Sequence, residues 1–146
     1  MTLTRRIIPF LTVLALTACG GPAVLPNGTS TLHGRIAFDP TPAGAPGTVA
    51  EVILVDTADP DVRSPLGTAR MDHPEDTPIP FTLVYNVHSV QAGHTYGLCA
   101  RVKDAAGSVT WASDRVTPVT LPSDDRYTNL VIRDEDDWAD CPEWDH

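Results

Sequence analysis

Three cysteines, Cys19, Cys99 and Cys141, are the side chains of this sequence best suited to covalent chemistry, and their settings differ. Cys19 closes an amino-terminal segment of three zones: Arg5 and Arg6, then mostly apolar residues from Ile7 to Leu16, then the small Thr17 and Ala18. That is the layout of a secretory signal peptide, since about ten apolar residues are too few for a helix to cross a ~30 Å hydrocarbon core. Residues 1–18 are expected to be removed on export. Cys99 and Cys141 then sit in an oxidising compartment, and two thiols make one disulfide. Closing that loop contributes about 4 kcal/mol on the chain-entropy model and pins the carboxy-terminal end. A redox-active or metal-binding pair would favour the close Cys-x-x-Cys spacing, which is missing.

Other chemistry is thinly represented. The histidines at 33, 73, 88, 94 and 146 show no tight ligand spacing, and neither a Gly-x-Ser-x-Gly elbow nor a phosphate-binding loop occurs. His88 beside Ser89 is read as no catalytic pair, because neighbouring strand residues face opposite ways. Surface roles are expected for the histidines. The tail "RDEDDWADCPEWDH" (133–146) holds seven acids and two tryptophans, but its spacing is not that of an EF-hand loop. It reads as a solvated acidic tail with Trp138 or Trp144 folded against the domain. In "DTADPD" (56–61), Asp56, Asp59 and Asp61 read as a solvated turn beside Pro60. No catalytic residue, metal ligand or cofactor is assigned, although distant residues can converge in a fold.

Leu16-Thr17-Ala18-Cys19 resembles a bacterial lipobox, which implies that the thiol of Cys19 carries a diacylglycerol and that the chain is cut before it and acylated. Each buried methylene contributes about 0.8 kcal/mol, so two or more acyl chains hold firmly where one does not. Gly20, rather than Asp, follows the cysteine, which in such lipoproteins implies delivery to the outer membrane, facing the periplasm. The mature chain from residue 19 has eight basic and nineteen acidic residues, a net charge of −11. This argues against nucleic acid or anionic headgroups as partners and leaves membrane attachment to the lipid. Residues 19–30, rich in Gly and Pro, read as the lipidated cysteine and a flexible tether spanning roughly 15 to 20 Å. What remains suffices for one domain with one core.

The elements that must position any site are strands. Leu32, Gly34, Ile36 and Phe38 share one side of an extended segment, with His33 and Arg35 on the other. "TVAEVILVD" (48–56) is apolar on both faces and suits a central strand. "IPFTLVYNVH" (79–88) alternates, with Phe81, Leu83, Tyr85 and Val87 inward. In "TYGLCARVKD" (95–104), Tyr96, Leu98, Ala100 and Val102 face the core and Cys99, Arg101 and Lys103 face away. A turn at "DAAGS" (104–108) leads into 108–114, with Val109 and Trp111 on one face and Trp111 in the core. Further strands are expected at 127–133 and, less clearly marked, at 64–72. Prolines interrupt every candidate helix. The expected fold is all-β: a single β-sandwich of about six to eight mostly antiparallel strands over 31–120, followed by an acidic strand and disulfide-tethered tail over 121–146.

"TLHGRIAF", "AEVILVDTA", "PIPFTLVYN" and "YGLCARVKDAAGSVTWASD" occur in the order and spacing of the YbaY/YscW-like lipoprotein family, which this chain resembles over about residues 31–118. The resemblance implies a compact β-sandwich on a lipid anchor, and members of its pilotin branch bind a secretin subunit and assist its assembly. It offers no catalytic residues, and the acidic tail with Cys141 departs from it. The leading reading is a non-enzymatic envelope lipoprotein that binds another envelope protein, as a chaperone or pilotin-like factor, through an apolar groove or open sheet edge. A glycan-binding module would need exposed aromatics, with Trp111, Trp138 and Trp144 the candidates. An envelope hydrolase without a recognisable motif would need a pocket gathering carboxylates or histidine.

Overall fold

The computed structural model describes residues 28–59, 65–122 and 127–134. They form eight strands: β1 (Thr29–Phe38), β2 (Val49–Asp56), β3 (Gly67–Asp72), β4 (Ile79–Asn86), β5 (Tyr96–Lys103), β6 (Val109–Ala112), β7 (Thr117–Val119) and β8 (Thr128–Ile132). One sheet runs β4-β1-β8, and the other β3-β2-β5-β6 with β7 also on β5. Every named strand pair is antiparallel except β1 with β8. The fold is the all-β, mostly antiparallel sandwich that alternation predicts.

The alternating faces build the core. Leu32 and Ile36 of β1, Val52 and Leu54 of β2, Leu83 and Tyr85 of β4, Leu98 and Val102 of β5, and Leu130 and Ile132 of β8 are all buried in one cluster. Each large apolar side chain so buried stabilises by about 1.5–3 kcal/mol relative to exposure. Trp111 packs against this cluster with its ring edge-on to Phe38, centroids 5.1 Å apart. The β5–β6 turn closes because the Asp104 carboxylate accepts from the Ala106 and Ser108 amides, both at 2.9 Å, while Gly107 takes a φ of +85° that favours glycine.

Four local expectations change. Regular pairing in β4 ends at Asn86, whose side chain accepts from the His88 amide and opens a one-turn 3-10 helix at Val87–Ser89. His88 and Ser89 are therefore not strand neighbours. The first strand begins two residues earlier than residue 31. Strand β7 was not foreseen, being three residues long with Pro118 at its centre. Asp56 does not solvate a turn: it is buried, and bonded to His94.

The two sheets meet at two seams. At one, β3 lies so close to β4 that a Cβ on Gly67 would stand 2.6 Å from the Val84 carbonyl. At the other, Ala112 and Arg133 exchange two backbone hydrogen bonds of 2.9 Å each, tying the end of β6 to the residue after β8. Beyond that bridge β7 and β8 are not paired to each other, and the second seam is open there.

Candidate functional site

The open seam is a consequence of β5. Its C-terminal half pairs with β6 and its N-terminal half with β7, and the chain leaves the sheet between them at residues 113–116. Ser113 is held at that break, its amide bonding to the Ala100 carbonyl and its hydroxyl accepting from the Ala100 amide, both 2.9 Å. β7 on one sheet and β8 on the other then flank a groove of about 570 Å³, with Val116, Thr117 and Pro118 on one wall and Asn129, Val131 and Arg133 on the other. Arg133 crosses one end, its guanidinium 3.2 Å from Asp39 and 3.9 Å from Asp114. Val131 is one of the exposed large apolar residues. Two sheet edges, an apolar side chain and paired charges can receive an extended peptide segment by strand addition.

A second constellation joins the end of β2 to the segment before β5. The Asp56 carboxylate stands 2.6 Å from His94 Nδ1 and accepts from the Ala58 amide at 2.9 Å. Burial would raise its pKa, yet the hydrogen bond from His94, backbone amides and the His94 charge outweigh that and hold it below the ordinary value. A carboxylate on imidazole Nδ1 is two-thirds of a hydrolytic triad, which would need a hydroxyl at Nε2. The nearby hydroxyls of Thr57 and Thr95 bond to each other at 2.8 Å. The pair is a clasp, fixing residues 87–95 to β2 alongside the Thr57 amide to Thr95 carbonyl bond of 2.8 Å.

Charges gather on the outer face of the larger sheet. Register places Glu51 between Arg70 and Arg101. Its Oε2 receives Arg101 Nε at 2.7 Å and Lys103 Nζ at 3.1 Å, and Arg70 Nη1 lies 3.5 Å from Oε1. Burial acts to raise the Glu51 pKa, but hydrogen bonds from Arg101 and Lys103, reinforced by their charges, hold it below the ordinary value.

The residues marked by sequence fall unevenly. Cys99 faces away from the core as expected, but it is buried, in a separate cluster with Ile53, Val55 and Val116. Trp111 is half-buried and packs against the core cluster, with its ring edge-on to Phe38. Cys19, Cys141, Trp138, Trp144 and Asp61 lie outside the described residues. No group of three or more His, Cys, Asp or Glu side chains among the described residues is placed to hold a metal ion. Nor is any helix among them long and apolar enough to cross a membrane. Sequence reasoning missed the Asp56–His94 clasp, because the partners are 38 residues apart and only the β2–β5 register brings them together.

Comparison with known proteins agrees with this architecture. The sandwich is similar to a solved structure of an alternative pilotin from the type II secretion system of Vibrio cholerae, with a TM-score of 0.63 and 20% identity, covering 72% of this chain and 96% of that one. At that identity the likeness establishes the fold. No curated protein sequence matches the chain. The family model for the type III secretion system lipoprotein chaperone (YscW) matches residues 27–131, from before β1 to within β8. This chain belongs to the YscW family of type III secretion system lipoprotein chaperones.

Proposed function

We propose that this protein is a non-enzymatic lipoprotein of the bacterial cell envelope that binds another envelope protein as an assembly chaperone, in the manner of a pilotin. A lipid on Cys19 anchors it at the outer membrane, facing the periplasm, with residues 19–30 as a short tether that merges into β1. Cys99 pairs with Cys141. The family match across the whole sandwich carries the reading, and the open β7–β8 seam supplies a surface that fits it. An extended segment of the client adds to the exposed edge of β8, with an apolar side chain meeting Val131 and its charges meeting the Asp39–Arg133–Asp114 chain.

The test is a mild crosslinking pull-down of the membrane-extracted lipoprotein from its own cells. Cys19→Ser serves as the unanchored control, Val131→Glu as the groove variant and Val84→Glu as an equally exposed apolar site on β4. The expected result is one envelope protein recovered with wild type and V84E and lost with V131E. Recovery of glycan alone, or nothing above control, ends the chaperone reading. Equal loss with V84E and V131E moves the client off the seam.

A further inference from the structure

One row of outward side chains runs across both sheets where β3 lies beside β4. Register pairs Glu51 on β2 with Arg70 on β3, and Thr82 on β4 with His33 on β1. It also sets Tyr127 beside His33, one residue before the Gly34–Thr128 pair. Between Arg70 on one side and Tyr127 on the other lies a cleft of about 550 Å³, with His33, Pro80 and Thr82 between them and apolar lining from Met71 and Phe81. Nineteen acids give this protein its charge, yet none of the described residues lining the cleft is acidic. Next along β1, exposed Arg35 has the uncharged Pro80 and Asn129 as its cross-strand neighbours.

Arg35 differs from the other arginines. Arg70, Arg101, Arg115 and Arg133 each stand within 4.0 Å of a carboxylate. Among the described residues Arg35 has no such partner, and its guanidinium carbon stands 4.9 Å from the centroid of the Tyr127 ring, itself 51% exposed. The ring attracts the cation without neutralising it, so the charge is held in place and stays available to an anion. His33 is fixed as well, with Nδ1 3.1 Å from the Thr82 hydroxyl and Nε2 3.3 Å from that of Thr31. A ring nitrogen that donates to a threonine oxygen leaves the proton of that hydroxyl free for a ligand. Across the cleft Arg70 donates Nε to Asp72 and Nη1 to Glu51, which keeps Nη2 for other use and makes Arg70 the weaker cationic end. More distant carboxylates weigh little, since charges at physiological salt are screened over about 8 Å.

We propose that this cleft binds a phosphate carried on a sugar ring. The phosphate sits at the rim between Arg35 and His33, which two residues along β1 separate by about 7 Å at the backbone. Its oxygens suit the planar guanidinium fork. The ring lies in the cleft beside Tyr127, its hydroxyls meeting Thr82 and Arg70 Nη2 and its carbon face meeting the apolar lining. The volume suits a small ligand, for which clefts of about 300–1,000 Å³ are usual. An acidic peptide would satisfy the cations but set carboxylates against Met71 and Phe81. The cleft shares no described lining residue with the β7–β8 groove, so the proposal stands apart from client binding. A soluble sugar phosphate and a phosphorylated ring headgroup on a membrane offer the same chemistry, and the test separates them.

The test titrates the isotope-labelled mature protein in detergent with glucose 1-phosphate and follows amide chemical shifts, which also verify that each variant is folded. Saturable shifts centred on His33, Arg35, Thr82 and Tyr127 are expected. Arg35→Gln should weaken binding about tenfold or more, as the loss of a charge-assisted contact does, and Tyr127→Ala should weaken it too. Arg115→Gln removes an 80% exposed guanidinium elsewhere and should bind as wild type. Unchanged affinity in R35Q, or an equal loss in R115Q, overturns the proposal. So does inorganic phosphate binding as tightly as the sugar phosphate, because the ring then contributes nothing. The membrane arm floats Cys19→Ser protein with phosphatidylcholine vesicles carrying phosphatidylinositol 4-phosphate. Flotation that R35Q abolishes, without shifts from glucose 1-phosphate, assigns the site to a headgroup, and the reverse assigns it to a soluble ligand. Shifts in the cleft with hexaglutamate and no binding of either phosphate put an acidic peptide there and overturn the sugar.

Discussion

The two sheets turn different outer faces to their surroundings. On the smaller sheet, residues facing outward behave as alternation predicts: His33, Thr82 and Val84 are exposed, and His33 makes only surface hydrogen bonds to Thr31 and Thr82. On the larger sheet the outward residues of β2 and β5 form a second interior, with an apolar end at Ile53, Val55 and Cys99 and an ionic end at Glu51, Arg101 and Lys103. Facing away from the core and being exposed are thus separate properties. The first is fixed by strand register. The second varies between the two sheets, and here it separates the exposed outer face of the smaller sheet from the buried outward residues of β2 and β5.

The difference is largest in apolar truncations. Ile53→Ala removes buried methylenes from an outward position and should cost about 2–4 kcal/mol in chemical denaturation. Val84→Ala, on the other outer face, should stay within about 0.5 kcal/mol of wild type. Equal and small effects at both positions would erase the distinction between the faces. Equal and large ones would mean that Val84 is as closely packed as Ile53, against its exposure.

Next in size is the ionic end. Glu51→Gln leaves Arg101 and Lys103 side by side without the carboxylate they share, and should cost about 2 kcal/mol, in the range of a hydrogen-bonded charged group. High salt should shrink that loss only in part, since the side chains are mostly buried. His33→Ala, with partners that water can replace, should change the melting temperature by no more than a degree or two.

These contrasts mark where sequence reasoning ends. The strands with clean alternation, such as β1 and β4, and the doubly apolar β2 are legible, because side chains of a strand alternate regardless of context. β7 is not, since a Thr-Pro-Val triplet carries no periodicity and pairs only because β5 has half an edge unoccupied after β6 departs. The outward direction of Cys99 is legible while its burial is not, as alternation fixes direction and says nothing of what packs on a face. The open seam was foreseen as a kind of feature, an unfilled sheet edge, but its place between β7 and β8 depends on the break at Ser113. The burial of Asp56 was not legible either. "DTADPD" has the composition of a turn, and nothing local announces that His94 will close over its first residue.

Acid titration reads the two carboxylates of β2 in the larger sheet, Glu51 and Asp56, and it is the smallest of the expected effects. Glu51 and Asp56 both sit below their ordinary values of 4.5 and 3.8 in the folded protein. In acid the unfolded chain therefore binds protons that the native state resists. The stability these groups contribute is complete at neutral pH and disappears as pH falls below about 4.5 and through their lower folded-state values. Asp56→Asn should lower the melting temperature at pH 7 and make its decline between pH 5 and pH 3 shallower than in wild type. His94→Gln keeps a donor toward Asp56 without the charge and should fall between the two. If D56N is destabilised at neutral pH while its acid slope stays that of wild type, the clasp contributes through packing and hydrogen bonding, and the ionised state of Asp56 adds nothing.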